Sequence, residues 1–217
     1  MTLHILSQQN TVLNKFIAEI RDKRIQRDSM RFRRNMERIG EIMAYEISKE
    51  FTYRPQIVTT PLGEASVETI GNEIVLATIL RAGLPYHQGF LNYFDDAQNA
   101  FVSAYRKSKK DGTFTVKVEY ISCGSLEGKT MLLVDPMLAT GGTLVAATHY
   151  LAERGAKDIT AVCILGAPEG LKFVEENLDP SIKFKLVLCA VDEKLNDKCY
   201  IVPGLGDAGD RLYGVID

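Results

Sequence analysis

The chain predicts an α/β fold, a central and mostly parallel β-sheet flanked by helices, in a single domain of 217 residues. Two observations predict it. From residue 130 onward, short apolar runs alternate with helical stretches, the pattern of strands joined by crossover helices. Before them, the first fifty residues repeat their apolar positions with a helical period, so the sheet is preceded by helices.

Taken in order, Val12, Leu13, Phe16, Ile17 and Ile20 make one apolar stripe. Phe32, Met36, Ile39, Met43 and Ile47 make a second, with a cap at Asp28 or Ser29. From Pro55 the pattern changes. "QIVTTPLGEASVETI" reads as two short strands around a Pro-Leu-Gly turn, and "EIVLATIL" as a buried strand that stops at "RAG". "NAFVSAY" is a further strand ending at Arg106, and "FTVKVEYISC" alternates as a half-exposed antiparallel ribbon does. After the turn signal "GSLEGK", "TMLLVD" runs through a Gly-rich break into the helix "GTLVAATHYLAERG", which Gly155 stops. "DITAVCILG", the helix "PEGLKFVEENL" and "FKLVLCAVD" complete the alternation.

Composition excludes several classes of function. With 26 basic and 28 acidic residues the formal charge is -2, which argues against a nucleic-acid binder. Residues 21–38 hold eight basic and three acidic residues, read as a solvated helix face rather than an RNA patch. Cys123, Cys163, Cys189 and Cys199 form no C-x-x-C pair, and with three histidines they give no metal-ligand spacing. The start, "MTLHILSQQN", lacks a basic region followed by an apolar stretch, and the longest apolar run, "LVLCAV", is too short to span a bilayer. A soluble cytoplasmic protein with no membrane partner is expected.

Two glycine-rich segments carry the chemistry. In "MLLVDPMLATGGTLVAA" an apolar strand delivers Asp135 at its carboxyl end, where open α/β sheets bind ligands. Gly141 and Gly142, flanked by Thr140 and Thr143, then open a helix whose unpaired N–H groups and dipole suit a phosphate. No Lys follows the glycines, so this is not a Walker A loop. Near the end, Gly204, Gly206 and Gly209 spell G-x-G-x-x-G, but only eight residues follow, too few for a dinucleotide-binding unit.

"VDPMLATGGT" resembles the phosphoribosyl-diphosphate (PRPP) signature of type I phosphoribosyltransferases, in the form used by uracil phosphoribosyltransferases. "TPL" (60–62), "ILRAGL" (79–84), "YR" (105–106), "GAPEG" (166–170) and "YIVPGLGDAGD" (200–210) occur in that family's order, and "MAYEISKEF" resembles its counterpart. The likeness runs from about residue 10 to the end. It implies the type I phosphoribosyltransferase fold, with N-terminal helices (1–53), a β-arm (107–123) that packs on a second subunit, and a C-terminal uracil-binding loop (199–217).

It also implies a reaction, uracil plus PRPP giving UMP and pyrophosphate. Asp135, Arg81, Arg106 and Asp207 are then the catalytic candidates. PRPP would be held by those four and by Pro136, Met137, Leu138, Ala139, Thr140, Gly141, Gly142 and Thr143. Uracil would be read by main-chain groups of Ile201, Gly206 and Ala208, beside Asp207. Mg²⁺ is expected to arrive on PRPP, with no protein metal site, as Mg²⁺ commonly does on phosphates. A homodimer or higher homo-oligomer is expected, and GTP enters as a candidate effector. Pro85, Tyr86, His87 and Gln88, and the run "KSKK" after Arg106, depart from the family pattern. The rival readings are an RNA-binding pyrimidine regulator on the same fold and a phosphoribosyltransferase for another base.

Overall fold

The structure is a computed structural model describing residues 1–108 and 114–215, with side chains described outside 104–122. The chain opens with strand β1 (Thr2–Ile5), helix α1 (Leu13–Arg21) and helix α2 (Ser29–Ser48). The helical reading of residues 1–53 therefore misses a strand. β1 has only four residues, three of them exposed, and owes its form to parallel pairing with a distant strand, which no local period reports.

The two apolar stripes form as expected. Phe32, Met36, Ile39, Met43 and Ile47 of α2 are all buried, as are Leu13 and Ile20 of α1, whereas Val12 is exposed. Burying each such side chain contributes about 1.5–3 kcal/mol, so packing rather than propensity holds α2 in place. Of the two candidate caps, Asp28 is the one used. Its carboxylate accepts from the Arg31 N–H at 3.0 Å and satisfies a free donor of the first turn.

Strands β2 (Tyr53–Thr60) and β3 (Gly63–Ile70) pair only with each other, as an antiparallel ribbon around the Pro61–Leu62 turn. Then come β4 (Ile74–Leu80), α3 (Leu84–Leu91), β5 (Gln98–Ser108), β6 (Phe114–Ser122), β7 (Thr130–Val134), β8 (Met137–Leu138) and α4 (Gly142–Ala152). β9 (Asp158–Gly166), α5 (Pro168–Asn177) and β10 (Lys183–Val191) follow. The chain closes with β11 (Lys194–Leu195), β12 (Ile201–Val202) and α6 (Ala208–Tyr213). The main sheet runs β1-β10-β9-β7-β4-β5-β6, with β8 also on β9. Every pair in it is parallel except β5 with β6.

Alternation along the central strands explains why they read as unbroken apolar runs: both faces are covered. Leu76, Leu132, Val134, Val162, Ile164 and Val187 pack with α1, α2, α3 and α6 on one face. Val75, Ala77, Leu133, Ala161, Cys163 and Leu188 pack with α4 and α5 on the other. Burial pushes the Cys163 and Cys189 thiols well above their usual range, which keeps both as inert core residues.

The hairpin expected at 107–123 is the far end of the β5–β6 pair, at the edge of the main sheet; residues 109–113 lie outside the described ones. The separate two-stranded ribbon is β2–β3. It exposes Ile57 and Val67, and Leu62 at its tip is fully exposed. No helix among the described residues is long and apolar enough to cross a membrane.

Candidate active site

Parallel register brings the expected residues to one edge of the sheet. Thr78 of β4 lies opposite Val134 of β7, so Arg81 and Asp135 leave neighbouring strands at their carboxyl ends. Leu80 lies opposite Ser103 of β5, which carries the Arg106 backbone to the same edge, where it pairs with Val116. The Arg106 side chain lies outside the described ones. The Leu80–Arg81 peptide is cis.

After β7 the chain is pinned to β9. The Asp135 N–H donates to the Val162 carbonyl at 3.1 Å, and the Pro136 carbonyl accepts from Ile164 and Leu165 at 2.9 and 3.1 Å. The Leu138 carbonyl accepts from Ala167 at 3.1 Å. Pro136 thus spends its carbonyl on β9 and Leu138 on the cap residue of α5, and the Leu138 side chain belongs to the core. Asp135 Oδ1 accepts from the Met137 N–H at 3.3 Å. This bracing leaves Thr140–Thr143 to open α4, whose cap residue Gly141 has φ +80° and makes no side-chain capping bond.

Sterics explain two of the glycines. A Cβ on Gly141 would lie 2.8 Å from the Gly170 carbonyl, in a backbone conformation that side chains rarely adopt. A Cβ on Gly170 would lie 2.2 Å from the Ala139 carbonyl. The "GAPEG" segment is therefore the floor on which the Ala139–Gly141 turn rests. Its Glu169 carboxylate accepts from the Leu195 N–H at 2.9 Å and so ties β11 to the start of α5.

At the C-terminus, β11 and β12 form a short antiparallel hairpin. Asn196 organises its turn, its side-chain oxygen accepting from the N–H groups of Lys198 and Tyr200, each at 3.0 Å. Asp207 caps α6, accepting from the Asp210 N–H at 2.9 Å. A Cβ on Gly209 would lie 3.2 Å from Asp207 Oδ1 and 3.4 Å from Arg81 Nη2. Arg81, from the other half of the chain, thus reaches the start of α6.

Between these parts lies a cavity of about 310 Å³. Met137 and Ala139 of the first loop line one side; Tyr200, Ile201, Gly206, Asp207 and Ala208 line the other. Four residues expected to meet uracil, Asp207 among them, therefore share one space with Met137 and Ala139; these two and Asp207 are expected to meet PRPP. Lys198, Cys199 and Tyr200 also line it. Cys199 and Tyr200 belong to the segment expected to bind uracil (199–217) without being singled out, and Lys198 lies just outside it. A larger cleft, about 820 Å³, opens between the far ends of α4 and α5, near His149 and Asp179. It touches neither glycine-rich loop, so size does not mark the site.

Of the departures from the family pattern, Pro85 stands in the first turn of α3, where a missing N–H costs nothing. Tyr86 and His87 are buried, and Gln88 bonds Asn92 at 2.8 Å. His87 Nε2 meets Asn99 Oδ1 at 2.7 Å, and burial lowers its pKa, keeping the ring neutral. These residues serve packing.

The profile of the uracil phosphoribosyltransferase family matches residues 6–215. The chain belongs to the uracil phosphoribosyltransferase family. It is 51% identical to the uracil phosphoribosyltransferase of Bifidobacterium adolescentis, over the full length of both chains. Against that of Porphyromonas gingivalis it is 46% identical, over 96% of each. Among solved structures it resembles the AQ2163 protein of Aquifex aeolicus, with a TM-score of 0.87, 32% identity and 99% of each chain covered. The uracil phosphoribosyltransferase resemblance read from "DPMLATGGT" and "PGLGDAGD" thus holds for the whole chain, and with it the type I phosphoribosyltransferase fold.

Proposed function

We propose that the site transfers a 5-phosphoribosyl group from PRPP to uracil, forming UMP and pyrophosphate in pyrimidine salvage. The observation that carries this reading is the shared cavity, where Met137 and Ala139, just before the Thr140–Thr143 turn, meet the backbone-rich C-terminal loop. The 5′-phosphate would sit on the open N–H groups of Gly141–Thr143, with the Thr140 and Thr143 hydroxyls beside it. Asp135 would meet the ribose hydroxyls, and Arg81 and Arg106 the diphosphate. Asp207, which like Arg81 comes close to Gly209, would meet the base and the ribose.

The anomeric C–O bond breaks with its electron pair leaving on pyrophosphate, and uracil N1 supplies the pair for the new C–N bond and gives up its proton. Positive charge on the ribose ring and negative charge on the diphosphate are then what the protein must stabilise, by position and electrostatics. The Arg81 guanidinium and the N-terminus of α4 suit phosphate groups rather than a cation. Among the described residues no group of three or more His, Cys, Asp or Glu is placed to hold a metal ion. Bound through PRPP, Mg²⁺ would neutralise charge on the leaving diphosphate. A homo-oligomer is part of the proposal, and the β2–β3 ribbon supports it, since an isolated two-stranded ribbon is marginally stable alone. GTP remains the candidate effector.

The RNA-binding alternative has little to stand on. Of the eight basic residues at 21–38, six are engaged within the chain. Arg21 pairs with Asp192, Arg24 with Asp22, Arg31 with Glu19 and Arg34 with Glu37. Arg33 donates to the Leu212 carbonyl, and Arg38 to Asn35. Two measurements test the reading together. A panel of uracil, adenine, guanine and hypoxanthine with PRPP and Mg²⁺ should show turnover of uracil alone. Filter binding across a salt series should find no salt-steep RNA affinity. Turnover of a purine base, or tight salt-sensitive RNA binding, would favour a rival.

Two variants probe the PRPP side. Arg81→Ala should raise the KM for PRPP about 10- to 100-fold, since hydrogen bonds to a charged group contribute about 1.5–3 kcal/mol. Arg81→Lys should recover only part of this, because a point charge cannot replace a planar fork; full recovery would reduce Arg81 to a charge. Gly141→Ala should raise the same KM at least about tenfold, because the loop must shift to clear the Gly170 carbonyl. An unchanged KM for PRPP in Gly141→Ala would show that the phosphate sits elsewhere.

A further inference from the structure

The C-terminal loop is held by a residue from the opposite end of the chain. Arg21, the last residue of α1, donates to both oxygens of Asp192, at 2.8 Å through Nη1 and 2.6 Å through Nη2. Its Nη1 also donates to the Gly204 carbonyl at 3.1 Å. Asp192 Oδ2 in turn accepts from the Gly204 N–H at 2.9 Å. One ion pair therefore takes both main-chain groups of Gly204. The Asp192 side chain is only 6% exposed, and its own N–H is fixed to the Gly166 carbonyl at 2.8 Å, at the end of β9.

Gly204 lies in the stretch that joins two parts of the cavity wall, Lys198–Ile201 on one side and Gly206–Ala208 on the other. Ile201 belongs to β12 and Ala208 opens α6, but residues 203–206 belong to neither, so no ladder or helix sets the direction of their main-chain groups. We infer that Arg21 and Asp192 are positioning residues for base recognition: by holding Gly204 they set the path of the chain between Ile201 and Ala208, and so aim the main-chain groups at Gly206 toward the pyrimidine edge. The inference rests on reading that segment as the base-binding one. A fork is required at position 21, because one group must reach two carboxylate oxygens and a carbonyl at once. Lys would keep the charge and lose that geometry.

A merely structural pair and a positioning pair differ in which substrate they affect. The test measures KM for uracil, KM for PRPP and the melting temperature in Arg21→Lys and Asp192→Asn, with the unaltered enzyme as control. In both variants the KM for uracil should rise at least about tenfold, as a small misplacement of binding groups produces. The KM for PRPP should rise less than that for uracil, because the Thr140–Thr143 loop is braced by β9 and α5 and only Asp207 of the PRPP candidates lies in the held segment. A KM for uracil within about twofold of control would overturn the inference. So would equal rises in both constants, or an Arg21→Lys chain that does not fold, since the pair would then serve folding alone. If the unaltered enzyme forms no UMP, the base-binding reading itself fails, an outcome distinct from all of these.

Discussion

Asp135→Asn is expected to lower kcat by about 10²-fold while leaving the fold intact. The change is isosteric at the end of β7, and two main-chain contacts that brace this stretch do not need the charge. The Asp135 N–H still reaches the Val162 carbonyl, and an amide oxygen can still accept from Met137. What is lost is a negative charge beside the ring on which positive charge develops. The loss should match removal of one preorganised transition-state partner, about 2.7–4 kcal/mol. Steady-state kinetics with both substrates, beside a thermal melt, would check it. An unchanged kcat with only a modest rise in the KM for PRPP would leave Asp135 a binding residue.

The second large effect concerns the choice of base. Uracil presents two carbonyl acceptors around an N3–H donor, whereas cytosine presents an amino donor at position 4 and an acceptor at N3. Main-chain groups of Ile201, Gly206 and Ala208 cannot rotate to suit the other pattern, as a glutamine amide could. Cytosine would face donor with donor and acceptor with acceptor. Each buried polar group left unpaired costs about 1–3 kcal/mol. Two such mismatches should suppress cytosine by about 10²- to 10⁴-fold in kcat/KM. 5-Fluorouracil keeps the edge of uracil and should remain a substrate. Cytosine turnover within about tenfold of uracil would remove the backbone-reading account, and rejection of 5-fluorouracil would show a tighter pocket.

Much of this arrangement is legible in the residues, and what is not has a physical reason. The α2 stripe from Phe32 to Ile47 is visible because burial on one side imposes a helical period. β7 and β9 are visible because burial on both sides imposes none. β1 escapes notice because its partner lies about 180 residues away, at Lys185–Leu188. β8, β11 and β12, with two residues each, are too short to carry any period.

The site divides in the same way. Asp135 and the Thr140–Thr143 turn announce themselves because strand, turn and helix start are contiguous. The approach of Arg81 to Gly209 and the grip of Arg21 and Asp192 on Gly204 join residues far apart in the chain. Nothing in local spacing reports them. Asp192 follows the last residue of β10, and the fold is what pairs it with Arg21 and brings Gly204 to it.

The central claim is that one cavity joins a PRPP loop to a base-reading loop and transfers the ribosyl group between them. The most direct measurement follows UMP and pyrophosphate together, from uracil and PRPP with Mg²⁺. The account predicts one pyrophosphate for each UMP, with neither formed when uracil is omitted. Pyrophosphate released without UMP, or no UMP at all from the folded protein, would contradict it.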